Sequence, residues 1–179
     1  MGTSKLKSSL LYILEEAGDM EIMRLAKFLY LADYAYAKLF GDKHGFIDEH
    51  QRYQYGPVPA AFYDEYNALL AEKVIDRKAN IVVLKRRMNV KSQLSDKELA
   101  CLDKVIHDFS GKNLNDVKHA AYATEPMKEI QEEEERLGVP RGLVFTKMNF
   151  NSVKPHPLTV APDIDLSFMD TDEFKKNLE

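Results

Sequence analysis

The stretch that decides the fold reads QRYQYGPVPAAFYDEYNALL and occupies residues 51–70. Gly56 can adopt backbone angles that are closed to other residues, whereas Pro57 fixes its own φ. Pro59 disfavours helical backbone in the residue before it and is itself tolerated at the start of a helix. The sequence therefore predicts a turn between a short extended segment and a helix over residues 60–70.

Aromatic side chains lie on both sides of this predicted turn. They are Tyr53, Tyr55, Phe62, Tyr63 and Tyr66. Aromatic residues are large contributors to cores and are also enriched at protein interfaces. Two interpretations follow, a rigid loop that packs its aromatic residues into the core and a recognition surface for a partner.

Upstream, residues 20–40 are apolar around most of a helical circumference, with Arg24, Lys27 and Lys38 on one narrow polar stripe. A helix that is apolar nearly all round is buried, so we expect this one at the centre of the domain. Asp33 lies off the stripe, and a carboxylate among apolar neighbours must be paired or hydrogen-bonded. We expect it to bond a tyrosine hydroxyl, a backbone amide or an arginine, with a catalytic role as the alternative.

The other helices are predicted from apolar periodicity and from cap residues. They cover residues 4–17, residues 96–110 up to Gly111, a short segment ending at 123, and residues 124–137 up to Gly138. Asp19 is the expected N-cap of the central helix, and Ser95 forms a capping box with Glu98. Asn113 or Asn115 caps the short helix. In the last one, Leu137 is expected to face inward and residues 132–135 to form a solvated acidic face.

Between these helices, residues 74–76 and 81–84 are β-prone and predict a hairpin with a loop over residues 77–80. The basic residues Lys85, Arg86 and Arg87 follow directly. A helix followed by a hairpin and a basic cluster is the layout of a winged-helix DNA-binding protein. The preceding helix is acidic, however, which disfavours contact with phosphates. Basic residues that protect an exposed sheet edge are the simpler interpretation.

The character of the chain changes after residue 138. A strand is predicted within residues 143–150, and residues 155–179 are proline-rich and then acidic, with Phe168, Met169 and Phe174 among them. We predict a domain over residues 1–138 and an extension over residues 139–179. The extension is either an arm folded onto the domain or a segment that binds a partner.

Composition narrows the function classes. The chain has 179 residues, 45% of them hydrophobic, and a net charge of −4, which gives one domain with a real core and no global attraction to nucleic acid. A single cysteine, Cys101, excludes an intramolecular disulfide and a cysteine-rich zinc site. No apolar run approaches the roughly 20 residues of a membrane span. We expect a cytoplasmic protein.

No nucleotide-binding, metalloprotease or nucleophile-elbow motif is found, and the five histidines show no spacing typical of metal ligands. We therefore predict no metal and no cofactor. An enzyme with a dispersed site is the third function class after a binding protein and a DNA-binding regulator. Convergence of Asp33 and His119 in an open pocket would favour it.

Three stretches together resemble the SocA-like Panacea domain, the antitoxin family that includes phage GepA-type proteins. The first is KFLYLAD at residues 27–33, and the second is YGPVP at residues 55–59 with Phe62 and Tyr63 after it. The third runs from Ser95 through Lys104 to His119 and Pro126. Met127 departs from the tryptophan that many members carry after the proline.

The resemblance implies an antitoxin that neutralises a cognate protein toxin, encoded by a neighbouring gene of a bacterial or phage genome, by direct binding. SocA itself acts as an adaptor that delivers its toxin to the ClpXP protease, which is the second mode. No shared catalytic site is implied. The motif residues Asp33, Gly56, Pro57, Pro59, His119 and Pro126 are expected to be structural.

The predicted fold is thus mainly α, a compact helical domain around a central buried helix with a small antiparallel β-hairpin and a C-terminal extension. Three surfaces are predicted to contact the partner. The first is the aromatic set Tyr53, Tyr55, Phe62, Tyr63 and Tyr66, the second is Arg86 and Arg87, and the third is Phe168, Met169 and Phe174.

Overall fold

The computed structural model describes residues 4–154, and helices predominate in this part of the chain. The helices are α1 (Lys5–Ala17), α2 (Ile22–Phe40), α3 (Phe62–Ala71), α4 (Asp96–Phe109), α5 (Leu114–Tyr122) and α6 (Glu125–Leu137). The strands are β1 (Met20–Glu21), β2 (His50–Tyr53), β3 (Gly56–Pro59), β4 (Ile75–Lys78), β5 (Ile81–Leu84) and β6 (Lys147–Met148). The mainly α fold is confirmed.

Helix α2 lies at the centre, packed against α1, α4, α5 and β3. Its side chains from Leu25 to Ala35 are all buried, as expected of a helix that is apolar nearly all round. The predicted start of this helix was wrong. Met20 and Glu21 pair with β5 before the helix begins, and Asp19 accepts a hydrogen bond from the Leu84 amide instead of capping α2.

None of the helices in residues 4–154 is long and apolar enough to cross a bilayer.

The predicted hairpin is present as β4 and β5, which pair antiparallel from Ile75–Leu84 to Lys78–Ile81. Its turn is tighter than predicted, because Arg77 and Lys78 belong to β4. The two-residue strand β1 joins the other edge of β5 and completes a three-stranded sheet. The sequence pattern did not indicate β1, since two residues show no periodicity.

The segment from Gly56 to Pro59 is a strand and not the predicted turn. It pairs antiparallel with β2, so the chain reverses at Gln54 and Tyr55, and α3 begins only at Phe62. The second sheet has the order β3–β2–β6, which places both prolines on an edge strand. An edge strand tolerates residues that lack a backbone N–H.

The cap residue of α4 was predicted correctly, and α5 is capped by Asn113, one of the two predicted candidates. Ser95 and Glu98 form a reciprocal capping box, and Asn113 forms one with Asp116. On α6, two predictions were wrong. Leu137 is 47% exposed, and Glu134 is buried although it belongs to the predicted solvated face.

The core continues past Gly138. Strand β6 pairs with β2, and Phe150 and Val153 are buried in the main hydrophobic cluster. Of the strand predicted within residues 143–150, only Lys147–Met148 is formed. Phe168, Met169 and Phe174 lie outside the described residues, so their contact with a partner stays a prediction.

Candidate functional site

Asp33 is fully buried and is the centre of a hydrogen-bond network. Its Oδ1 accepts from the amides of Phe46 at 2.6 Å and Ile47 at 2.9 Å, and its Oδ2 accepts from the Asp48 amide at 3.3 Å. The Nε2–H of His50 also donates to Oδ2, at 2.8 Å. The expectation of backbone amide partners is confirmed. The network fastens the loop after α2 to the middle of that helix.

Gly45 is part of the same arrangement. Its φ is +70°, and a Cβ at this position would lie 2.5 Å from the Asp33 carboxyl. A side chain would therefore be strained by its backbone and would also collide with a buried group that is held on several sides. The close approach of the loop to Asp33 requires glycine here.

His50 is buried between two aromatic rings, Tyr30 at 5.1 Å and Phe150 at 5.7 Å between centroids. The Tyr30 hydroxyl lies 2.6 Å from Oγ1 of Thr124, and burial raises the pKa of Tyr30. His50 Nδ1 is buried without a hydrogen-bond partner among the described residues. Asp33 and His50 are thus enclosed, whereas His119 is exposed on α5. The structure does not bring Asp33 and His119 together.

Lys27, which was predicted on the polar stripe of α2, is fully buried. Its ammonium group donates to the carbonyl of Pro57 at 2.7 Å, and no carboxylate pairs with it among residues 4–154. Burial, together with the nearby charges of Lys118 and Arg52, lowers the pKa of Lys27 to about 7. Lys27 therefore joins α2 to β3 while keeping its amine close to losing its proton.

Gly56 is the point at which β3 passes closest to α2 and α5. Its φ is +105°, and a Cβ here would lie 2.9 Å from the Tyr122 ring and 3.1 Å from Cε of Lys27. The predicted backbone requirement for glycine is confirmed, although Gly56 serves a strand and not a turn. Any side chain would displace either Tyr122 or Lys27.

A buried ion pair connects β2 with α6. Nε and Nη2 of Arg52 donate to the two carboxyl oxygens of Glu134 at 3.0 and 3.1 Å, and Nη1 donates to the Tyr122 hydroxyl at 3.2 Å. Burial alone would raise the pKa of Glu134, but the hydrogen bonds and charge of Arg52 outweigh it and lower that pKa. Neither residue was identified from the sequence. Alternation along β2, which turns Arg52 inward, was the only signal available.

Lys27, Asp33 and Gly56 lie on the segments that carry the family resemblance, and a comparison with known families decides the assignment. The model of the antitoxin SocA-like Panacea domain matches residues 25–126, more than half of the chain. The chain belongs to the SocA-like Panacea family. No curated protein and no solved structure matches it. Membership supports an antitoxin-type role.

The Panacea motif residues are mostly interior. Asp33, Gly56, Pro57 and Pro59 are buried, and Pro126 is buried in the first turn of α6. They hold α2, the loop after it and the β2–β3 pair together. His119 is exposed, unlike the other five, and the structural role of the motif residues stays a prediction. A surface that recognises a partner must therefore be sought outside the interior of the motif.

The aromatic set predicted from the sequence is divided by the fold. Phe62 and Tyr66 are buried in the core of the Panacea domain, so their prediction as surface contacts was wrong. Tyr55 is 47% exposed at the β2–β3 turn. Tyr53 and Tyr63 remain together at the surface, with ring centroids 5.9 Å apart.

Phe145 extends this pair and was not identified from the sequence. Its ring lies edge-on to Tyr53 at 5.2 Å, and it is 64% exposed. We call Tyr53, Tyr63 and Phe145 the aromatic surface. No periodic signal marks Phe145, because it lies in a loop that is shaped by pairing with β2.

The second predicted surface is the hairpin with Arg86 and Arg87. Both side chains are exposed, and Arg87 approaches Glu15 at 3.4 Å while remaining 77% exposed. The helix before the hairpin, α3, carries Asp64 and Glu65 in its first turn. The predicted hairpin is thus present in the structure. Binding of nucleic acid or of a partner by these arginines stays a prediction.

Proposed function

We propose that this protein is an antitoxin that neutralises a cognate protein toxin, encoded by a neighbouring gene, by binding it directly through the aromatic surface. Family membership supports the antitoxin role. Direct binding is supported by one observation above all, the exposed and strained Phe145 beside Tyr53 and Tyr63.

Phe145 has a φ of +67°, a conformation that bulky residues rarely adopt. Left-handed backbone costs a residue with a Cβ about 1–2 kcal/mol. The amide of Phe145 donates to the Arg52 carbonyl at 2.6 Å, which holds the backbone in place. Core packing does not explain this strain, because the ring is mostly in solvent. Strained backbone of this kind is concentrated at functional sites, which supports a role for the exposed ring in binding.

The neighbours of Phe145 favour a protein partner. Tyrosine and phenylalanine side chains provide large contact areas at a small cost in conformational entropy, and they are common anchors of interfaces. Tyr53 is half-buried, so its ring is already ordered before a partner arrives. Phe145 also lies outside residues 25–126, the segment matched by the family model.

The test is co-expression with the product of the adjacent gene. The wild-type chain is expected to restore growth and to co-purify with the toxin, whereas Phe145→Ala and Tyr63→Ala are expected to weaken binding by about 2 kcal/mol or more each, which is about thirtyfold. Leu137→Ala is the matched control, because it removes another exposed apolar side chain from the end of α6. Toxin binding by Phe145→Ala equal to that of the wild type would contradict the assigned surface. Absence of any complex would contradict direct binding.

Delivery to a protease is the alternative mode and needs its own experiment. Growth rescue in a host without a ClpXP-type protease is the expected result if binding alone neutralises the toxin. Loss of rescue in that host, with the complex still formed, would show adaptor activity instead. The triple variant Phe168→Ala, Met169→Ala and Phe174→Ala tests the predicted contribution of the extension in the same assay.

A further inference from the structure

A cleft of about 490 Å³ lies between α5, α6 and the β2–β3 turn, on the side of the turn where Tyr55 projects. Tyr55 and Tyr122 supply aromatic walls, and Asn115 and Gln131 supply side-chain amides. Lys118, His119, Glu134, Glu135, Pro140 and Arg141 complete the lining. Clefts of this size accommodate small molecules and not only single ions.

The charges around the cleft do not cancel. Glu134 is neutralised by Arg52, whereas Lys118 and Arg141 have no carboxylate partner among residues 4–154. Lys118 lies over the Tyr55 ring, with Nζ 5.4 Å from its centroid. Glu135 is the remaining carboxylate of the lining. Two cations without a carboxylate partner, Lys118 and Arg141, therefore face one carboxylate, Glu135.

Lys27 adds to this excess of positive charge. Lys27 is buried next to Gly56, at the place where the backbone of Gly56 packs against the Tyr122 ring. Burial lowers the pKa of Lys27, and the charges of Lys118, which lines the cleft, and of Arg52 act in the same direction. A bound anion would relieve the repulsion among these cations.

We propose that this cleft binds a phosphate monoester of a small molecule. Lys118 and Arg141 hold the phosphate, and a flat organic part lies against Tyr55 and Tyr122. A phosphate monoester carries close to two negative charges at neutral pH and has three strong acceptor oxygens, which suits a lysine, an arginine and nearby amide donors. The proposal concerns a cleft apart from the aromatic surface, so it does not depend on toxin binding.

Phenyl phosphate is the minimal probe, because it joins a phosphate dianion to one aromatic ring. We expect saturable shifts of the backbone amide signals of Lys118, Tyr122 and Arg141 when the full chain is titrated at constant ionic strength. Phenol is the matched ligand without charge, and it should produce no saturable shift there. Inorganic phosphate should bind at the same residues but more weakly than phenyl phosphate.

Variants separate a built site from general electrostatic attraction. The double variant Lys118→Gln, Arg141→Gln should weaken binding by about tenfold or more. The control Lys78→Gln, Arg86→Gln removes the same charge from the exposed hairpin and should change affinity by less than about twofold. Glu135→Gln should tighten binding, since it removes the unpaired carboxylate. Melting temperatures of all variants establish that each remains folded.

Three results would overturn the proposal. They are no saturable shift at the cleft residues up to about 10 mM phenyl phosphate, equal shifts with phenol, and equal weakening in the cleft and hairpin double variants. The last of these would show that the anion responds only to the overall field of the protein.

Discussion

Helix α2 carries two buried charged side chains, and their surroundings differ sharply. Asp33 accepts hydrogen bonds from three backbone amides and a histidine ring. Lys27 donates a hydrogen bond to the carbonyl of Pro57, and no carboxylate among the described residues pairs with it. The same helix therefore holds one charge that is well compensated and one that is poorly compensated.

The difference teaches what each group does for the fold. Asp33 fixes the conformation of the loop after α2, because the backbone amides of that loop must point at its carboxyl group. Lys27 constrains the backbone less, and its burial costs free energy, since a buried ammonium group with one acceptor is poorly solvated. Removing Asp33 should therefore destabilise the protein. Replacing Lys27 by an uncharged residue should remove the cost of burying its ammonium group, at pH values where that group is protonated.

The largest effect is expected for Asp33→Ala. It leaves the amides of residues 46–48 and His50 without an acceptor in a dry interior, so the unfolding free energy should fall by about 3–5 kcal/mol. Urea denaturation measures the change. Asp42→Ala is the control, because Asp42 accepts a single exposed bond from His44 and should cost less than about 1 kcal/mol. Equal losses for both variants would contradict the role given to Asp33.

Gly56→Val comes next and tests the crowding beside Lys27. Gly138→Val shares the positive φ of the Gly56 variant but meets no atom within 4 Å, so it reports backbone strain alone. We expect Gly56→Val to lose about 2 kcal/mol more than Gly138→Val because of overpacking against Tyr122 and Lys27. A folded Gly56→Val variant with an unchanged melting temperature but no toxin binding would instead make Gly56 a contact residue.

Lys27→Met sharpens the comparison through pH. The pKa of Lys27 is about 7 in the folded chain and near 10.5 in the unfolded chain. Between these values the unfolded chain binds more protons, so the contribution of Lys27 to stability rises with pH. The unfolding free energy of the wild type, relative to Lys27→Met, should increase by about 2 kcal/mol from pH 7 to pH 9.

The same measurement on Lys78→Met provides the control, because Lys78 is exposed on β4 and its removal should give a difference that is independent of pH in this range. A flat pH profile for Lys27→Met would show that the amine stays protonated and that Pro57 compensates it better than its single bond indicates.

The smallest effect is expected for Arg87→Ala. Arg87 is 77% exposed, and its distance to Glu15 is 3.4 Å. Exposed ion pairs of this kind contribute little, so the unfolding free energy should change by less than about 0.5 kcal/mol. A loss above about 1 kcal/mol in urea denaturation would show that the hairpin is anchored through this arginine.

Local patterns were sufficient for much of the fold. The apolar circumference of α2 predicted its burial, and the Ser95–Glu98 pair predicted the start of α4, because both signals lie within one or two turns of helix. The hairpin followed from two β-prone segments separated by a turn. Asp33 was also predicted correctly as a hydrogen-bonded group, since no other state of a carboxylate is tolerated on that face.

Features set by distant partners could not be predicted in the same way. Strands β1 and β6 have two residues each and exist through their pairing with β5 and β2. Gly56 and its neighbouring prolines gave the signal of a turn, yet an edge position in the sheet accommodates them as a strand. In each case the decisive contact lies far away along the chain.

The candidate surfaces show the same division. Glu134 is one of a run of four glutamates, and nothing in that run distinguishes the residue that meets Arg52 in the interior. Phe62, Tyr66 and Leu69 have the i, i+4, i+7 spacing of one buried helix face, so periodicity could have separated Phe62 and Tyr66 from Tyr63. Phe145 could be recognised only from its backbone angle and its exposure.

Cys101 has a practical consequence. It is the only cysteine of the chain, it is buried on α4, and burial raises the pKa of its thiol. Alkylation requires a thiolate that a reagent can reach, so the intact fold should shield this atom almost completely. The rate of alkylation, divided by that of the denatured chain, should then report how often α4 separates from α2. Mass spectrometry of the alkylated chain would therefore measure the opening of the interior at a natural residue, without any engineered label.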